Sequence, residues 1–105
     1  MKTLNDYQGT EGIDKLLECA PYITEILADT ELISRAADMP WIKLGGEVYK
    51  THTIACNKLF ESLDHAPESP ISAMAATAQV MAELLTNQDL IDFFISLSKV
   101  KRDKS

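Results

Sequence analysis

His52 and Cys56 stand four residues apart, a spacing that puts an imidazole and a thiol on one helical face within reach of a single metal ion. Cys19 and His65 would complete four ligands of the types zinc takes. The same pair would serve as base and nucleophile of a thiol enzyme if a cleft and an oxyanion hole stood beside it. Neither chemistry has its usual setting. Structural zinc draws on close ligand pairs such as C-x2-C, whereas these four residues are scattered singly. The stripe that carries His52 and Cys56 is otherwise apolar, and the sequence holds no phosphate-cradling glycine loop, no HExxH and no GxSxG. Acid pairs such as Asp89 and Asp92 read as a solvated helix face. The expectation is no catalytic residue, no metal ligand and no cofactor, with both cysteines reduced and packed as small apolar side chains.

The elements that place these residues are helical. From Ile13 the apolar side chains fall at Leu16, Leu17, Ala20, Ile23, Ile26 and Leu27, the three-and-four rhythm of one helix face, and Thr10 is placed to cap it. Pro21 interrupts the run without breaking the stripe, which predicts a kink. Asp29 or Thr30 caps a short second helix ending before Pro40, and DMPWIKLGG reads as a connector in which Trp41 plugs the end of the core. A long central helix is expected over 47–63. HAPESP marks a loop, Ser69 caps a fourth helix with Pro70 in its first turn, and Asn87 caps a fifth that ends near Ser98. Five alanines and two methionines between Ala73 and Ala82 give the fourth helix little bulk, so a neighbour can approach it closely.

Two stretches repeat. EILADTELIS (residues 25–34) and ELLTNQDLID (residues 83–92) each end one helix and cap the next, with an acid in the first turn and Leu-Ile entering the core. The predicted fold is therefore all-α: a small single-domain bundle of about five helices, with two helix-turn-helix units around a long central helix. Residues 1–9 are expected as a flexible arm, 10–98 as the helical domain and 99–105 as a basic flexible tail.

The chain of 105 residues is 46% hydrophobic and 25% charged, the balance of a globular domain with one core. Its charge of −6 is uneven: residues 1–98 carry 15 acids and 6 bases, residues 99–105 four bases and one acid. An acidic body repels phosphate, and neither short helix after a sharp turn presents the Arg, Lys, Asn and Gln array of a recognition helix, so no nucleic-acid partner is expected. No apolar run reaches the ~20 residues of a membrane span and no signal peptide opens the chain, so a cytoplasmic protein without a membrane partner is expected.

At IDKLLECAPYITEILADTELI, residues 13–33, the sequence resembles the small tail assembly chaperones of long-tailed bacteriophages and their prophages. The likeness lies in a short acidic helical chain, an early amphipathic helix followed by an acid-capped second one, an alanine-rich later helix and a basic finish. It implies a non-catalytic role in the host cytoplasm, coating the amphipathic helices of the tape measure protein while the tail tube protein polymerises around it. Self-association is expected, and many such proteins are also made in a frameshifted, extended form. Apolar side chains that five helices cannot all bury are the first candidates for contact: Trp41, Tyr49, Met74, Met81 and Phe93. The alternative is a small acidic helical adaptor or regulator of another protein, which would bind its partner in one or two copies rather than many.

Overall fold

Helix α1, Ile13–Ala28, runs without interruption through Pro21; of the expected stripe Leu16, Ile23 and Ile26 are buried, joined by Cys19, whereas Ile13 and Leu17 stand exposed. The computed structural model describes residues 12–103, with side chains through residue 97. The first helix is entered at Gly12 without a side-chain cap, while the arm at 1–9 and the expected cap Thr10 lie outside the described residues. The Asp29 side chain then accepts from the Leu32 N–H at 3.2 Å and starts α2, Thr30–Arg35, which ends in a 3-10 turn at Ala36–Asp38.

The next segment departs from expectation. The expected connector DMPWIKLGG is helical from Trp41: Pro40 is the residue before α3, Trp41–Thr51, so Trp41, Gly45 and Gly46 all lie in the helix. The long central helix expected over 47–63 is two helices, α3 and α4, Thr53–Ser62, parted at His52 (φ −122°, ψ 48°). Thr51 and Thr53 flank the break, and β-branched residues are poor helix formers. The Thr53 hydroxyl also donates to the Tyr49 carbonyl at 2.6 Å and the Lys50 carbonyl at 3.3 Å, so a side chain satisfies acceptors that a continuous helix would have used.

After α4 the chain turns through Asp64, whose positive φ of 55° lets the His65 N–H reach back to the Phe60 carbonyl at 2.9 Å. Ser69 accepts from the Ser72 N–H at 3.1 Å and caps α5, Pro70–Leu85, with Pro70 in its first turn as expected. Asn87 accepts from the N–H groups of Asp89 and Leu90 and opens α6, Gln88–Asp103. The sixth helix continues past Ser98 into the stretch expected as a tail. Lys and Arg are good helix formers and suit the negative end of the helix dipole, which accounts for the extension.

Among the described residues the result is an all-α single domain of six helices with no strand. No described helix is long and apolar enough to cross a membrane. Two clusters of buried side chains make the core. Leu16, Cys19, Ile23, Leu59, Leu63, Val80, Leu84, Leu90 and Phe94 form one, while Ile26, Leu32, Leu44, Val48, Cys56, Phe60 and Met81 anchor the other. Both draw on α1, α4 and α5, which join them. The echoed turns feed different clusters, Leu32 entering the second and Leu90 the first, and they open helices of 6 and 16 residues. Their likeness is therefore that of two capped turns rather than two equal units.

The alanine-rich α5 does accept a close neighbour. A Cβ built on Gly45 would lie 2.5 Å from the Ala78 nitrogen and 2.6 Å from the Met74 carbonyl oxygen, so only glycine lets α3 settle against α5.

Candidate functional site

Packing separates the four residues whose types suggested a metal or thiol site. Cys19 is fully buried in the first cluster and Cys56 in the second. His65 lies past α4 with its ring edge-on to Phe60, centroids 5.7 Å apart. Both ring nitrogens of His52 are taken by carboxylates. Among the described residues no group of three or more His, Cys, Asp and Glu side chains is placed to hold a metal ion. Burial pushes both thiols up to about 11, where the neutral form persists and nucleophilicity is lost. At pH ~8 a disulfide-type thiol reagent is expected to titrate neither cysteine in the native protein within minutes and both once the chain is denatured. Rapid reaction of one thiol in the native state would show that it is not buried as described.

His52 occupies a different setting, one that no motif announces. Its ring nitrogens meet two carboxylates, Nδ1 3.1 Å from Glu25 Oε2 and Nε2 2.8 Å from Asp29 Oδ2. Only the imidazolium donates at both positions. Asp29 ends α1 and caps α2, and His52 is the break between α3 and α4, so this contact ties two helix junctions together. The sequence signal available was a lone histidine interrupting an apolar stripe and two acids spaced i, i+4 at the end of α1; what pairs them is tertiary.

The hydrogen bond from His52, and after it the Leu32 N–H, holds the Asp29 carboxyl below its ordinary value of 3.8. A depressed carboxylate stabilises the fold fully above that value and loses its contribution as pH falls through the lower, folded-state value. His52→Ala is therefore expected to lower the urea midpoint measurably near pH ~5, above the ordinary carboxylate value, where Asp29 is ionised. The gap from the parent protein should narrow as pH falls below 3.8 through the lower folded-state value, and a gap that stays constant would mean that the contact with Asp29 contributes nothing.

The five expected contact residues divide. Trp41 opens α3 and is 42% exposed. Tyr49 is half-buried, stacked on Phe60 at 6.5 Å with its hydroxyl donating to Asn57 Oδ1 at 3.2 Å. Met74 is half-buried where α5 meets α3, and Phe93 is half-buried with its ring edge-on to Phe94. Met81 is a correction: it is fully buried in the second cluster and offers no surface. α5 carries core residues around most of its circumference, because α3 covers the flank that a one-sided helix would leave open.

Other large apolar side chains were missed. Ile42, Ile54 and Ile71 are each the second residue of a helix and stand clear of the core, Ile42 by 62% of its surface. Ile13 and Leu17 on α1 and Ile95 on α6 are also exposed. Periodicity could not flag these, since first-turn residues sit beyond the packed length of their helix. Near the His52 junction the surface holds an open depression of about 370 Å³ lined by Glu25, Thr51, His52, Thr53, Ile54 and Ala55.

No family model, curated protein or solved structure matches the chain.

Proposed function

We propose that this chain is a non-catalytic binding protein that holds the amphipathic helices of a longer client, in the manner of a phage tail assembly chaperone acting on the tape measure protein. The observation that carries the reading is the distribution of apolar surface: among the described residues seven large hydrophobic side chains stand exposed on an acidic body. Scattered anchors of this kind give many weak contacts, which suit a client that must later be released to its tube, and several copies along one client supply avidity that no single contact has. The acid excess keeps such a complex soluble. Self-association, and contact with the tail tube protein at release, belong to the same proposal.

Co-expression tests it. A tape measure segment that is insoluble alone should become soluble with this protein and co-purify with it. A segment that stays insoluble, or is solubilised equally by an unrelated acidic helical protein, would rule the role out.

A further inference from the structure

The segment between α1 and α3 is held to the domain by little. α2 and its 3-10 turn bury one side chain between them, Leu32, whereas every other helix buries at least two among the described residues. They also lie along no other described helix. At each end the backbone leaves helical geometry, at Asp29 (φ −79°, ψ 77°) and at Met39 (φ −117°, ψ 141°), so residues 30–39 are bounded by two joints. The first joint is pinned: the Asp29 carboxylate accepts from the Leu32 N–H at 3.2 Å and meets His52 Nε2 at 2.8 Å. The second, before Pro40, has no side-chain cap.

The apolar residues of this segment keep one face. Leu32 enters the second core cluster, and Ile33, Ala36 and Met39 pack against it half-buried, while the residues between them are exposed. Apolar side chains at i, i+1, i+4 and i+7 are how an amphipathic helix lies on an apolar seat. The segment therefore displays, within the chain, the chemistry that its own seat accepts.

We propose that residues 30–39 are a displaceable strap, and that the seat they cover on the second cluster binds a client amphipathic helix of the same apolar spacing, which takes the strap's place. The inference rests on the client-binding reading and adds where one client helix is gripped. Exchanging one apolar face for another leaves the buried area nearly unchanged, so each such contact is weak and reversible. The strap also lowers the apparent affinity by the fraction of time that it is closed. Weakening the strap must then tighten client binding, which a fixed surface patch would not do.

Hydrogen exchange on the free protein is the first test. Protection factors for amides 32–39 should be at least ~tenfold lower than those of central amides in α1 and α3, because the strap opens without the rest. Equal protection in all three segments would mean that it opens only with the whole domain, and would overturn the inference. Binding is then read with a labelled peptide of about five helical turns, carrying Leu, Ile, Ala and Met at the strap's spacing with Ser and Gln elsewhere, and with its scramble. Leu32→Ala should bind the peptide at least ~fivefold tighter than the parent, and neither protein should bind the scramble. Ile33→Ala, a milder cut on the same face, should act in the same direction and carries the test if Leu32→Ala fails to fold by circular dichroism. Leu90→Ala, a comparably buried truncation in the first cluster, should bind no tighter than the parent. Unchanged or weaker binding by the strap variants overturns the inference, and so does equal tightening in Leu90→Ala, which would reduce the effect to general loosening. A Leu32→Ala protein that dimerises without peptide would make a second copy the occupant and overturn the client assignment. If the peptide results fail while a tape measure segment is still solubilised, the strap is wrong and the chaperone reading stands; if they hold and no segment is solubilised, the strap stands and the chaperone role falls.

Discussion

Gly45→Ala is expected to destabilise the protein by at least ~2 kcal/mol, although alanine is the better helix former by ~1 kcal/mol. The added methyl would meet the backbone of α5 at 2.5–2.6 Å, and backbone atoms, unlike a flexible side-chain end, cannot move aside without moving the helix. Its neighbour gives the control. A methyl on Gly46 would find only the Met74 sulfur at 3.8 Å, so Gly46→Ala should gain ~0.5–1 kcal/mol from helix propensity and lost chain entropy. Adjacent, chemically identical substitutions are thus expected to move the melting temperature in opposite directions, by roughly 10 °C down and a few degrees up for a domain of this size. If Gly45→Ala proves as stable as Gly46→Ala, α3 does not approach α5 as described.

Met81→Ala should cost ~3 kcal/mol, within the range for removing a fully buried methionine, because the side chain fills the second cluster beside Phe60, Leu44 and Val48. Serine at the same position would cost more, since its hydroxyl would also need a partner among apolar neighbours. In urea the midpoint should fall with an unchanged slope, the signature of lost stability rather than altered compactness. Any loss of client binding by Met81→Ser would then track the unfolded fraction and vanish under conditions where the variant is folded. A folded, fully stable Met81→Ser protein with weakened binding would return Met81 to the surface.

The legible features were those that capping and periodicity write locally. Asp29, Ser69 and Asn87 cap as their side-chain chemistry requires, and the core face of α1 was visible from spacing. The glycine pair misled because Gly45-Gly46 before an apolar run reads as a flexible joint, whereas a close helix approach uses the same residue for its missing Cβ. The break at His52 was hidden for a related reason: it is accompanied by contacts to two acids some twenty-five residues earlier and by the Thr53 hydroxyl, which reaches back one turn. Surface prediction failed at Met81, since only packing decides which flank of an apolar helix is covered. The exposed first-turn isoleucines were missed because spacing tells which face a residue is on and not whether a neighbour extends that far.

The most direct measurement is the mass, by light scattering on a size-exclusion column, of the complex formed with a tape measure segment as the segment is lengthened. A coating chaperone predicts that the number of bound chains rises in proportion to client length, with several copies on a segment of ~100 residues. A fixed one or two copies at every length would contradict the coating role and identify an adaptor instead.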